Sequence, residues 1–228
     1  MLTRFGLYDF IAAVIPGLLF IWAILLFSDA LNLSFKIPLT GELAETSILI
    51  ALSYIVGILM QGISQGITEK LLLYFWKGFP SARWLFAGDT YFSDEYKSRI
   101  KKIVEGKYGI NIGGNLSYEK QLKNNQEIFY LCYNAVVKEN LNERPQIFNT
   151  HYGLSRCLLT SFSILFIICL FILFLGNPGN KASILYLSIF FLIGTIVSYF
   201  RTKKRGEDFA RSVYDLFLAH YGEDKQEV

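Results

Sequence analysis

The sequence predicts an all-α integral membrane protein with four transmembrane helices and a helical cytoplasmic domain. Three observations support this fold class. Hydrophobic residues make up 53% of the 228 residues, they are concentrated in four uncharged runs, and the basic residues are confined to particular connections between those runs. A soluble domain carries fewer apolar residues and rarely groups them into long uncharged blocks, so this distribution indicates a membrane protein.

Four runs of 18 to 20 residues lack Asp, Glu, Lys and Arg, and they cover residues 10–27, 48–67, 157–175 and 182–200. At about 1.5 Å per residue, such a run crosses a hydrocarbon core of about 30 Å as a helix. A helix is expected because lipid offers the backbone no hydrogen-bond partner. The first run follows Arg4 and could be a signal peptide, but no small-residue cleavage site follows it, so we expect a retained span.

The basic residues predict the orientation of these helices. The connections at 28–47 and 176–181 contain one lysine each, whereas thirteen basic residues lie from Lys70 to Arg156 and six follow Phe200. Cytoplasmic connections carry the excess of Lys and Arg in membrane proteins. We therefore expect a multi-pass protein of the bacterial inner membrane, with both termini and the segment 70–156 in the cytoplasm.

Four regions follow from this layout: a transmembrane hairpin at 1–69, a cytoplasmic insert at 70–156, a second hairpin at 157–200 and an amphipathic tail at 201–228. Ser93 is typical of a helix N-cap, and a glycine at 106 or 109 would end that helix. The tail has one apolar stripe, formed by Phe209, Val213, Leu216 and Phe217. We expect this stripe to dock on the insert and complete one helical domain.

Mixed aromatic and basic residues open the insert, in "KLLLYFWKGFPSARWLF". Trp76, Lys77, Arg83 and Trp84 are typical of side chains at headgroup level, so we expect an interfacial helix on the inner leaflet. A second basic group follows the fourth run and comprises Arg201, Lys203, Lys204 and Arg205. Beside a membrane such groups favour anionic lipid as the partner over nucleic acid.

Polar and small residues interrupt the second run at four-residue intervals. One series consists of Ser53, Gly57, Gln61, Gln65 and Glu69, and beside it Gly62 and Gly66 form a G-x-x-x-G step. Small residues allow helix backbones to approach closely, and amide side chains hydrogen-bond between helices. The series predicts a contact face within the subunit, a contact face between subunits of a homo-oligomer, or the lining of a pore.

Motifs for chemistry are sparse. The sequence contains no phosphate-binding loop, nucleophile elbow or H-E-x-x-H motif, and the three cysteines, at 132, 157 and 169, have no disulfide or zinc spacing. We therefore expect neither a cofactor nor a metal. "RPQIFNTH", from Arg144 to His151, resembles the R-x4-6-H motif of HEPN ribonucleases, in which Arg and His from two subunits cleave RNA. Pro145 departs from that motif, because a polar residue commonly follows its arginine.

The stretch "LYDFIAAVIPGLLF", from Leu7 to Phe20, resembles the start of small multi-span proteins encoded in bacterial anti-phage defence loci, among them the membrane subunit of the Kiwa system. The likeness consists of the aromatic-Asp-aromatic step at 8–10, the I-P-G turn at 15–17 and the four-span layout. The resemblance implies a membrane subunit that senses infection or disturbs the membrane, often with a soluble partner.

Together these observations favour a non-enzymatic membrane component of a defence or stress system. It would act as an oligomeric sensor or scaffold for a soluble cytoplasmic effector. A pore that depolarises the membrane and a membrane-tethered ribonuclease using Arg144 and His151 are the alternatives.

The predicted orientation can be checked with topology reporters. A reporter fused after Val228 and a second reporter inserted at Asn115 should both be active as cytoplasmic reporters, because basic residues surround both positions. Periplasmic activity at either position would contradict the four-span orientation.

Overall fold

The computed structural model describes residues 7–30, 43–109, 117–175 and 181–222, and these residues form helices and turns without a β-strand. The helices are α1 (Leu7–Ala30), α2 (Leu43–Ile63), α3 (Glu69–Trp76), α4 (Pro80–Arg83), α5 (Asp94–Tyr108), α6 (Tyr118–Lys138), α7 (Glu143–Leu175) and α8 (Lys181–Tyr221). A five-residue π-helical segment, Ser64–Thr68, joins α2 to α3 and is called the π-turn below. The predicted turn at 176–180 lies outside the described residues.

Four helical stretches are long and apolar enough to cross a membrane, which confirms the predicted number of spans. They are Phe10–Ser28, Glu45–Arg83, Glu143–Phe174 and Lys181–Tyr221. Three of them continue well beyond the predicted limits, because the flanking polar residues are themselves compatible with helix. The segment where an interfacial helix is predicted begins with α3, which follows the second span through the π-turn without a break; a position on the inner leaflet remains a prediction.

The chain divides into two compact units. The first, the span unit, contains residues 1–70 and 150–203, and the second, the insert unit, contains residues 71–149 and 204–228. α7 and α8 each contribute residues to both units. The cytoplasmic location of the insert unit remains a prediction.

In the span unit, α1 and α2 approach each other at two glycines. A β-carbon added to Gly17 would lie 1.8 Å from the Ser53 carbonyl oxygen, and one added to Gly57 would lie 1.8 Å from the Ala13 carbonyl oxygen. Such distances are far inside van der Waals contact, so these glycines permit backbone-to-backbone packing. The small residues of the predicted series that pack within the chain are therefore Ser53 and Gly57.

A second contact in the span unit joins α1, α7 and α8 through fully buried apolar side chains. The cluster consists of Ala23 and Phe27 from α1, Leu165 and Cys169 from α7, and Ile184 and Phe191 from α8. The rings of Phe27 and Phe191 meet edge-on at 6.2 Å. In lipid this packing stabilises through dispersion and shape rather than through the hydrophobic effect.

The insert unit has a hydrophobic core built from α5, α6, the C-terminal part of α8 and the loop before α5. Its fully buried members include Trp84, Ile100, Cys132, Val213 and Phe217. The predicted apolar stripe of the tail contributes to this core: Val213 and Phe217 are buried in it, and Phe209 and Leu216 are partly buried against it.

The start and end of α5 agree with the sequence. The Ser93 hydroxyl accepts a hydrogen bond from the Tyr96 amide at 3.2 Å, as an N-cap does. Gly109 ends the helix in the left-handed conformation, with φ of 66°.

The two tryptophans predicted at the membrane surface are instead inside the protein. Trp84 is fully buried, and its ring stacks on that of Tyr91 at 3.7 Å. Trp76 is also buried, and its carbonyl accepts a hydrogen bond from Arg83, whose guanidinium pairs with Asp89. The prediction that Trp76 and Trp84 are interfacial anchors is therefore wrong, because both residues are buried.

The α1–α2 contact predicts different costs for two similar substitutions. Gly57→Ala should lower the free energy of unfolding of the purified protein by about 1–3 kcal/mol, and therefore its melting temperature, because the added methyl group overlaps the Ala13 backbone. Gly153→Ala is the control. It lies in helix α7 of the same unit, a methyl group there meets no described atom within 4 Å, and it should be neutral or stabilising. Equal melting temperatures for the two variants would contradict the packing.

Candidate functional site

The candidate site is the π-turn, where residues 64–68 interrupt the regular helix. A π-turn contains one residue more than an α-turn, and such turns occur frequently at functional sites. Its two hydroxyl-bearing ends, Ser64 and Thr68, are buried and half-buried, whereas Gln65, Gly66 and Ile67 between them are exposed. The segment therefore has a polar side within the protein and an outer side that the subunit leaves uncovered.

Arg156 of α7 binds the inner side. Its Nε donates a hydrogen bond of 2.9 Å to the Ser64 hydroxyl, and its Nη1 forms an ion pair with the carboxylate of Glu69. Arg156 is 8% exposed, so these protein partners, and not water, stabilise its positive charge. The guanidinium also lies 5.2 Å from the centre of the Tyr152 ring, within the range of a cation–π contact.

A second polar contact joins the other end of the π-turn to α7. The Thr68 and Thr160 hydroxyls are 2.7 Å apart, and the Thr160 hydroxyl lies 2.9 Å from the Arg156 carbonyl, to which it donates. Arg156 and Thr160 are four residues apart on α7, as Ser64 and Thr68 are on the π-turn. Two positions one helical turn apart on α7 therefore hold both ends of the π-turn.

Both charges of the ion pair lie at the ends of apolar sequence. Residues 46–68 contain no charged residue before Glu69, and Arg156 immediately precedes the uncharged run 157–175. Twenty-three residues of helix measure about 35 Å, slightly more than a hydrocarbon core of about 30 Å. The pair is therefore expected at the edge of the bilayer, where removing either partner would leave the other charge poorly solvated.

The outer side of the same helix carries two amides. Gln61 is half-buried, Gln65 is exposed, and neither side chain hydrogen-bonds another residue in the described part of the chain. Beside them, a β-carbon at Gly62 or Gly66 would meet no described atom within 4 Å. The expectation that Gly62 and Gly66 pack against another span of the same subunit is therefore wrong, and a contact between subunits or a pore lining remains predicted.

Helix geometry explains why one predicted face became two. A step of four residues turns about 400° in an α-helix, so a series at this spacing drifts by about 40° per step. Ser53 and Gly57 consequently point towards α1, whereas Gln65 points outward. The π-turn then changes the register again, and Glu69 meets Arg156 on the inner side.

The other predicted site residues do not form a cluster. Arg144 is exposed, with its guanidinium 5.7 Å from the centre of the Phe148 ring, and His151 is half-buried two turns further along α7. Lys204 and Arg205 both pair with Asp208, while Arg201 and Lys203 are exposed.

Nucleophiles and metal ligands are also dispersed. Burial raises the pKa of the Cys132 thiol well above its usual range, so this cysteine is a protonated, unreactive core residue. Within the described residues, no three His, Cys, Asp or Glu side chains are arranged to hold a metal.

Sequence reasoning missed the partnership between Arg156 and Glu69. Arg156 was interpreted as a topology-determining charge and Glu69 as the end of a polar series. A signal was present, because Ser64, Thr68 and Thr160 are hydroxyl residues placed one turn apart beside these charges. What the sequence lacked was the rotation introduced by the π-turn.

The ion pair predicts a large penalty for removing one charge and a small penalty for removing both. Glu69→Gln should destabilise the protein by about 3 kcal/mol, because it leaves the Arg156 charge buried without its counter-ion. The double change Arg156→Met, Glu69→Leu should restore most of that stability. Arg211→Gln, at the exposed Arg211–Asp215 pair, is the control and should cost less than about 1 kcal/mol. Additive losses in the double variant would contradict the buried pairing.

Comparison with protein-family models, with curated proteins and with solved structures finds no match to this chain. The resemblance of residues 7–20 to membrane proteins of defence loci therefore remains a prediction.

Proposed function

We propose that the protein is a non-enzymatic inner-membrane component of a bacterial anti-phage defence or stress system. It acts as an oligomeric membrane sensor and scaffold for a soluble cytoplasmic partner. The observation that carries the proposal is the π-turn, which has a charged network on its inner side and uncovered amides on its outer side. Homo-oligomerisation through the outer side is part of the proposal.

The chemistry of the outer side supports a second subunit as its occupant. Lipid tails cannot hydrogen-bond Gln61 or Gln65, so amides that face lipid keep an energetic penalty. An identical helix from another subunit brings the same amides to the same depth, and Gly62 and Gly66 allow its backbone to come close.

The π-turn supplies a physical basis for sensing. Conversion of the π-turn into regular α-helix removes one residue from the turn and rotates the flanking segments by about 100° relative to each other. Such a rotation would separate Glu69 from Arg156, so the ion pair favours the π form. A neighbouring subunit that contacts residues 61–66 more favourably in the π form than in the α form, or the reverse, would shift the populations of these two forms. The two forms would thereby couple assembly in the membrane to the conformation of α3.

A pore is the second candidate, and the exposed amides favour it specifically. Gln61 and Gln65 lie one turn apart and would line a polar path if several subunits arranged α2 around an axis. In that arrangement the amides contact water rather than each other. The two functions therefore predict different consequences for the same substitutions.

Two double variants separate these functions. Gly62→Leu, Gly66→Leu should dissociate or misassemble the oligomer, because bulky side chains prevent close approach at a cost of about 1–3 kcal/mol per site. Gln61→Leu, Gln65→Leu should leave the size unchanged, because membrane hydrogen bonds contribute about 0.6 kcal/mol each. Size in detergent and ion flux in liposomes are measured for both variants.

The outcomes assign the function as follows. Flux in the parent that the glutamine changes abolish without altering size would favour the pore. An unchanged size with leucine at both glycines would contradict the subunit contact. Absence of flux, together with a soluble protein that co-purifies with the parent and not with the glycine variant, is the result expected for a scaffold.

A further inference from the structure

The short helix α3 carries aromatic and aliphatic side chains that the protein leaves uncovered. Tyr74 is 80% exposed, Phe75 is 69% exposed and Leu71 is 53% exposed. These residues are three and four apart, so they form one face of the helix. Leu72 and Trp76 are buried on the opposite side. Apolar residues therefore lie on both sides of α3, and Leu71, Tyr74 and Phe75 are largely exposed.

Basic residues flank this exposed face. Lys70 precedes Tyr74 by four residues and Lys77 follows it by three, and both side chains are exposed. Lys70 and Tyr74, four residues apart on the helix, therefore lie on neighbouring parts of one surface, and Lys77 is the first residue after the helix. An aromatic side chain between lysines is the composition of side chains that lie at the bilayer–water boundary.

The end of α3 is fixed by hydrogen bonds. Lys77 and Gly78 both have positive φ, 54° and 106°, and the Gly78 amide donates to the Leu73 carbonyl at 2.9 Å. The Tyr118 hydroxyl donates to the Lys77 carbonyl at 2.9 Å. These hydrogen bonds hold the backbone at Lys77 directly after the last turn of α3.

The depth of α3 follows from the sequence before it. Its first residue, Glu69, comes after 23 uncharged residues, which as helix measure about 35 Å. A helix that crosses a core of about 30 Å therefore reaches the headgroups where α3 begins. At this depth Leu71, Tyr74 and Phe75 are expected in the boundary region, with Lys70 and Lys77 near the phosphates.

We propose that the outer face of α3, formed by Leu71, Tyr74 and Phe75 with Lys70 and Lys77, is a binding surface for anionic phospholipid headgroups. The aromatic rings enter the boundary between headgroups and acyl chains, and the lysine ammonium groups contact lipid phosphates. This surface takes the place that the sequence assigned to Trp76 and Trp84. It requires a membrane-inserted chain and is independent of the proposed sensor function.

The test uses the full-length chain in lipid nanodiscs. Tyr74→Cys is labelled with a fluorophore, and Tyr130→Cys, 54% exposed on α6, is the control; the three native cysteines are buried. Quenching by lipids that carry a nitroxide near the headgroup reports contact with the membrane. We expect strong quenching at position 74 and little at position 130. Equal quenching at the two positions would overturn the proposal. Protection of position 74 from both lipid and aqueous quenchers would also overturn it, because that result would indicate a protein partner.

A second measurement tests headgroup recognition. An anionic nitroxide lipid should quench the position-74 label more efficiently than a zwitterionic one. Each lysine near the surface favours binding of anionic lipid by about 1 kcal/mol, which corresponds to an affinity about fivefold higher. Lys70→Gln, Lys77→Gln should remove this difference. Lys120→Gln, Lys123→Gln removes the same charge from exposed positions on α6 and should preserve it. A position-74 label that does not distinguish the two lipids in the parent protein would overturn the anionic assignment.

Discussion

The inability of hydrocarbon to form hydrogen bonds is the constraint on which the rest of this structure depends. It requires the four apolar segments to be helices, and it requires each polar group near them to find a partner within protein. Ser64, Thr68, Glu69, Arg156 and Thr160 meet this requirement by binding one another. Gln61 and Gln65 do not meet it within the described subunit. The contrast between these two groups of residues, on opposite sides of one helix, is the basis for inferring a second subunit.

The Arg156–Glu69 pair is better understood as a determinant of register than as a source of stability. Burying two charges costs several kcal/mol per ion, and their attraction recovers that cost when the geometry and the additional hydrogen bonds are good. Any sliding or rotation of α2 against α7 would separate the charges without restoring water to them. The hydroxyl contact between Thr68 and Thr160 constrains the same register one turn further on. Apolar packing between lipid-exposed helices is less discriminating, because Leu and Ile side chains interchange at similar energy.

The sequence predicted the features that depend on local composition. The four spans, the Ser93 cap, the end of α5 at Gly109 and the packing of Val213 and Phe217 all follow from patterns within one segment. It did not predict features that depend on which segments meet. The sequence around Trp84 has the composition typical of a membrane interface, yet the rings of Tyr91 and Phe92 pack against its ring. Gly57 was one member of a series, and its importance arises from the carbonyl of Ala13 on another helix. The π-turn has no reliable signature in the sequence, and it decides that Glu69 faces inward.

The two proposed surfaces, read together, limit how the π-turn could act. If headgroups hold the outer face of α3, the segment after the π-turn is restrained at the membrane surface. A change between π-turn and α-turn would then have to appear as rotation of α2, and the close α1–α2 contact at Gly17 and Gly57 would oppose that rotation. Rotation of α2 moves Gln61 and Gly62 directly, since they lie within one turn before Ser64. A change in subunit contacts and loss of the Arg156–Ser64 hydrogen bond would therefore be two consequences of the same one-residue shift, whereas Glu69 would stay with α3.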